Sequence, residues 1–199
     1  ESPWKEGNKL LHIGLRGYDA VKDEVPDSNL VFLIDVSGSM TSKDRLPLLK
    51  KSLRILLKQL KPSDTVSIVT YAGGAQTILN PTQVVEKQKI IAALESLSPG
   101  GGTAGGDGIQ LAYSLAEAGY QEGAVNRIIL ATDGDFNIGV RDTNQLRQLI
   151  EQKRKSGIYL SVLGVGEGNY NDSIMQSLAQ NGNGVAAYID TLSEANKVL

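Results

Sequence analysis

The chain has 199 residues, no cysteine, and a formal net charge of −2 with both signs interspersed. A chain of this length can bury about 70% of the surface that its unfolded form exposes, so it needs no disulfide staples, and thiolate metal sites and cysteine nucleophiles are excluded. The charge balance offers no basic footprint for nucleic acid or anionic lipid, and no run approaches the roughly 20 apolar residues of a membrane span.

Residues 1–27 contain one short apolar run, Leu10-Leu-His-Ile-Gly-Leu15, and end near the turn-forming Val25-Pro-Asp-Ser28. They read as an added edge strand or as the tail of a preceding domain, in a chain that begins at Glu1 as an excised piece would. His12, the sole histidine, reads as a strand residue because no second histidine or carboxylate accompanies it.

The next stretch is Leu30-Val-Phe-Leu-Ile34, five apolar residues without a polar break, as in a central parallel strand covered on both faces. Asp35-Val-Ser-Gly-Ser39 follows at its carboxyl end. The spacing of Leu46, Leu49, Leu53, Leu56, Leu57 and Leu60 predicts an amphipathic helix over 43–60, stopped by Pro62, with Lys43, Lys50, Lys51 and Lys58 turned to water. A strand over 64–71 and a Gly73-Gly74 turn lead into a return strand over 75–79, which Asn80-Pro81 should break.

Ile90, Ile91, Leu94 and Leu97 mark a helix over 86–97, and the glycine-rich segment 99–108 precedes another over 109–119. Strands follow at 126–131, 157–164 and 185–189, separated by helices at 142–156 and 171–180. Asp142 with Gln145, and Thr191 with Glu194, have the spacing of capping boxes. The last helix, starting at Leu192, should be held by Leu192, Ala195 and Val198, and reads as cut short at Leu199.

Strands alternating with helices predict an α/β fold: a doubly wound, mostly parallel six-stranded sheet with one antiparallel edge strand and helices on both faces. In the common order 3-2-1-4-5-6, the loops after the first and fourth strands meet at the switch point, where such sheets bind ligands. The first of these loops carries Asp35, Ser37 and Ser39. Carboxylate and hydroxyl oxygens without imidazole or thiolate suit a hard cation, Mg2+, Mn2+ or Ca2+.

Asp-x-Ser-x-Ser after an apolar strand resembles the metal-ion-dependent adhesion site of the von Willebrand factor A domain family. That pattern also asks for a Thr in a Gly-rich loop and an Asp after a later strand. Gly100-Gly-Gly-Thr-Ala-Gly-Gly106 contains Thr103, and Ile128-Ile-Leu-Ala-Thr-Asp-Gly134 contains Asp133. The resemblance covers residues 29–199, so residues 28–199 are expected to form the domain. It implies a metal held by Asp35, Ser37, Ser39, Thr103 and Asp133, the two aspartates binding directly or through water, with a position left for an Asp or Glu of a partner protein.

The wording of the two motifs is most similar to bacterial members described as calcium-activated chloride-channel-like. Such a resemblance implies an exported or lipid-anchored chain of the bacterial envelope with flanking domains. It implies neither a channel, a membrane insertion by this segment, nor an enzyme.

Two other readings compete with this one. A haloacid-dehalogenase-type phosphotransferase also places an Asp after its first strand, but it needs Asp-x-Asp, and Ser37 stands where the second acid belongs. Alternatively, the metal could serve only to tie the loops together. Asp135, Asp142, Glu167 and Asp172 are loop carboxylates expected to be solvated. Gly164-Val-Gly-Glu-Gly168 lacks dinucleotide-loop spacing and reads as a turn, and Met40 reads as a packing residue.

Overall fold

The computed structural model describes residues 25–102, 105–134, 143–166 and 172–199, with positions 7, 9 and 11. His12, Thr103, Asp135, Asp142 and Glu167 lie outside the described residues. Among the described residues six strands form one sheet: β1 (Ser28–Asp35), β2 (Thr65–Tyr71), β3 (Ala75–Gln83), β4 (Val125–Thr132), β5 (Ile158–Val165) and β6 (Ala186–Ile189). Their order is β3-β2-β1-β4-β5-β6, with only the β2–β3 pair antiparallel. The expected doubly wound sheet is therefore observed.

The helices are α1 (Leu46–Gln59), α2 (Lys87–Ser96), α3 (Gly105–Ala118), α4 (Thr143–Lys155), α5 (Asp172–Asn181) and α6 (Leu192–Val198). Two apolar cores follow from the pleat of β1. Phe32 and Ile34 face Leu49, Leu53 and Leu57 of α1, whereas Val31 and Leu33 join Ile109 and Tyr113 of α3 on the other side. Full burial of such a side chain contributes roughly 1.5–3 kcal/mol. The uninterrupted apolar run of β1 is what a strand with helices on both faces requires.

Several boundaries differ from the sequence reading. α1 starts at Leu46 rather than at residue 43, because a 3-10 turn (Gly38–Thr41) precedes it and Pro47 sits in its first turn, where a missing N–H costs nothing. β3 does not break at Asn80-Pro81 but runs on to Gln83, with register shifts against β2. An edge strand tolerates proline because one row of its amides has no ladder partner.

α3 begins four residues early and takes in Gly105, Gly106 and Gly108. A Cβ on Gly108 would stand 3.0 Å from Tyr71 Cβ and 3.1 Å from Leu33 Cδ1, so glycine here lets the helix lie close against the sheet. Lys50, expected on a solvated face, instead donates to the carbonyls of Glu95 and Leu97 and ties α1 to the end of α2.

At α6 the amide of Glu194 donates to Thr191 Oγ1 over 3.2 Å, which is the cap expected there. The expected anchors are corrected: Leu192 and Val198 are 40% and 37% exposed, and Ala195, with the partly buried Leu199, makes the contact with the core. Positions i, i+3 and i+6 spread over about a third of the helix circumference, so Ala195 sits at the centre of the stripe that faces the sheet and Leu192 and Val198 at its margins. Met40 is fully buried, as expected.

Candidate metal centre

β1 lies between β2 and β4, so the loops after β1 and β4 emerge side by side at the switch point. β1 delivers Asp35 fully buried at its end. The amide of Val36 still donates to the Tyr71 carbonyl at 3.0 Å, and the chain then turns. Asp35 Oδ1 accepts the Ser37 amide at 2.8 Å, an Asx-type contact that shapes the turn. The 3-10 turn that follows brings the Ser37 and Ser39 hydroxyls to 3.0 Å from each other.

The Gly-rich segment docks on this loop. Gly38 donates to the Gly101 carbonyl at 3.2 Å, and Gly100 donates to the Val36 carbonyl at 2.7 Å. Its described part, residues 100–102, thus lies against the Asp35 loop, while Thr103 is outside the described residues.

From β4, Thr132 Oγ1 donates to Asp35 Oδ2 at 3.3 Å and accepts the Gly134 amide at 3.2 Å. Asp133, the next residue, is 1% exposed. Tyr71 at the end of β2 donates its hydroxyl to the same Oδ2 of Asp35 at 3.2 Å. Three strand ends therefore converge on one buried carboxylate.

Burial pushes the Asp35 carboxyl above the ordinary carboxylate range; hydrogen bonds from Ser37 oppose the shift and the nearby charge of Asp133 adds to it. Tyr71 is driven well above the usual phenol range, first by burial and then by the charge of Asp35, so it stays protonated as a donor.

Asp35, Ser37, Ser39 and Asp133 are thus gathered at one end of the sheet. Two buried carboxylates repel each other there beside a pair of hydroxyls, an oxygen set that a hard divalent cation would satisfy. Among the described residues no group of three or more His, Cys, Asp or Glu is placed to hold a metal ion. Asp172 is exposed in the first turn of α5 and takes no part.

The sequence reading missed four residues: Tyr71, Thr132, Arg45 and Gly166. Arg45 Nη1 donates to Asp133 Oδ2 at 2.6 Å and to the Ser39 carbonyl at 2.7 Å. The segment around Gly164 reads in the sequence only as a turn, yet Gly166 packs directly against Arg45. A glycine just past a strand that ends beside the site was the available signal.

The family model for the von Willebrand factor type A domain matches residues 29–198. The uncharacterized protein YfbK of Escherichia coli is 48% identical over 198 residues, which is all of this chain and 34% of that protein. An aerotolerance-related membrane protein from Bacteroides fragilis superimposes with a TM-score of 0.68 at 26% identity, covering 86% of this chain and 99% of that one. Proximal thread matrix protein 1 from the mussel byssus, solved with a zinc-occupied MIDAS motif, has a TM-score of 0.68 at 21% identity and covers 87% of this chain and 44% of that one. This last likeness is one of fold. The chain spans about a third of the length of its E. coli relative.

Proposed function

The chain belongs to the von Willebrand factor type A domain family, and on that premise we propose that it is a cation-dependent protein-binding module. In this reading Asp35, Ser37, Ser39, Thr103 and Asp133 hold Mg2+, or alternatively Mn2+ or Ca2+, and an Asp or Glu of a partner protein completes the shell. The observation that carries it is the convergence of Asp35, Ser37, Ser39 and Asp133 on the switch point, with Asp35 held by donors from β2 and β4. Support from the fold comes from the mussel protein, whose corresponding motif is described with zinc.

When bound, the cation supplies a fixed positive pole for an incoming carboxylate. The chain's own residues do the rest. Tyr71 and Thr132 fix the Asp35 carboxylate by holding Oδ2, while the Ser37 and Ser39 hydroxyls add neutral ligands that leave the metal most of its charge. Binding is favoured over phosphotransfer because Ser37 sits where a general acid would be needed and its hydroxyl pairs with Ser39.

We place the domain at residues 28–199 of a larger chain, with residues 1–27 as an extension, at the bacterial cell envelope. The likeness to a Bacteroides membrane protein supports that location. No helix among the described residues is long and apolar enough to cross a membrane.

The test is a co-precipitation from the native source in Mg2+ and in EDTA, with wild type and Asp35→Ala. A partner retained only by wild type in Mg2+ is expected. A partner held equally in EDTA, or equally by the variant, would refute the metal bridge.

A further inference from the structure

We infer that Arg45 is a resident counter-charge of the metal centre, positioning Asp133 and weakening the site's hold on its cation so that the loaded centre stays net positive. The inference rests on the metal-binding reading above. Its starting point is a contact that the five-residue ligand pattern does not contain: Arg45 Nη1 is 2.6 Å from Asp133 Oδ2 and 2.7 Å from the Ser39 carbonyl. The ion pair is largely shielded, with the Arg45 side chain 14% exposed and that of Asp133 0%. Such a pair is not weakened by water as a surface pair is.

The position of the guanidinium is built into a third element. Gly166, just beyond β5, has φ +81°, and a Cβ there would stand 2.4 Å from Arg45 Cγ and 2.7 Å from Nε. Only glycine leaves that space, so the Ser39 turn, the end of β4 and the end of β5 together enclose the arginine. A surface arginine would need no such reserved place.

The electrostatic consequence follows from counting formal charges. Asp35 and Asp133 together balance the formal charge of a divalent cation, which would leave the loaded centre without a net charge to draw a partner carboxylate toward the open position of the metal. Arg45 adds one positive charge in direct contact with Asp133. Summed over Asp35, Asp133, Arg45 and the cation, the loaded centre then carries a net positive charge, which attracts an anion, at the expense of repulsion between the guanidinium and the cation. Arginine suits this role because it cannot shed its proton and the two hydrogens of Nη1 can serve Asp133 and the Ser39 carbonyl together.

The probe is Mn2+ alone, titrated calorimetrically into wild type, Arg45→Gln and Arg45→Lys, with metal-free melting measured alongside. Arg45→Gln is expected to bind Mn2+ at least tenfold more tightly than wild type while its metal-free form melts lower, because buried Asp133 has lost this ion pair. Arg45→Lys, which keeps the charge, is expected to restore the wild-type affinity. Equal affinity in wild type and Arg45→Gln overturns the inference. Weaker binding by Arg45→Gln also overturns it, since an arginine that merely scaffolds Asp133 predicts that loss.

If Arg45→Gln does not fold, Gly166→Ala serves instead: its Cβ drives the arginine away from Asp133, and the same tightening is required, its absence overturning the inference. Failure of wild type to bind Mn2+ would instead refute the metal reading on which the inference stands.

Discussion

The hydroxyl of Tyr71 lies 3.2 Å from Oδ2 of Asp35, and both residues are fully buried. A buried carboxylate is costly unless its oxygens are met by donors, and hydrogen bonds to charged groups contribute about 1.5–3 kcal/mol. The last residue of β2 thereby fixes the orientation of the first proposed metal ligand. Tyr71→Phe keeps the ring and removes only this donor. It should lower the affinity for Mn2+ about tenfold, the equivalent of ~1.4 kcal/mol, with the rest of the fold intact; unchanged affinity by calorimetry would show that the hydroxyl is dispensable.

Cation binding should register as stability. With metal at a hundred times its dissociation constant, mass action stabilises the folded state by about 2.7 kcal/mol. For a domain of this size that corresponds to a rise in melting temperature of about 5–10 °C. Asp35→Ala should abolish the rise, and the same rise in the variant would locate the cation elsewhere.

In the absence of metal, the sign of the pH dependence at Asp35 is set by its raised folded-state pKa. A group of this kind favours the fold below its ordinary value of 3.8, and the benefit is lost as pH rises through the higher folded value. Metal-free wild type should therefore lose stability against Asp35→Asn over that window and be the less stable of the two at neutral pH. Added Mg2+ should reverse the ranking at neutral pH. Chemical denaturation in EDTA across the acid range is the measurement, and parallel curves for the two proteins would refute the assignment.

The close approach of α3 to the sheet gives a packing prediction. Gly108→Val places a branched side chain against Tyr71 and Leu33, and overpacking of this kind typically costs about 1–3 kcal/mol. Because the strain falls on Tyr71, Mn2+ affinity should drop along with the melting temperature. A stable variant with normal affinity would show that the helix can move away without disturbing Asp35.

Hydrolysis should be absent. Wild type supplied with Mg2+ and p-nitrophenyl phosphate should release no more product than Ser37→Ala. Turnover lost in Asp35→Asn would favour the phosphotransfer reading.

The sheet and the stretch that carries the candidate site are both legible in local sequence patterns. The apolar run 30–34, the alternation of strand and helix, and Asp35, Ser37, Ser39 and Asp133 directly after two strands are local patterns, legible because a buried parallel strand needs apolar side chains at every position. Element ends were less legible. Gly105 and Gly106 look like loop residues, and Asn80-Pro81 looks like a break, until the neighbouring sheet supplies the partners that override local preference.

The contacts that hold the candidate site together are visible only in the folded chain. Tyr71 meets Asp35 across 36 positions, Arg45 meets Asp133 across 88, and Thr132 meets Asp35 across 97. None of these spacings belongs to a helix or a strand, so no period in the sequence announces them. They exist because the crossovers of the parallel sheet bring the carboxyl ends of β1, β2, β4 and β5 together, where a buried carboxylate must find donors and a largely shielded guanidinium needs a glycine to leave it room.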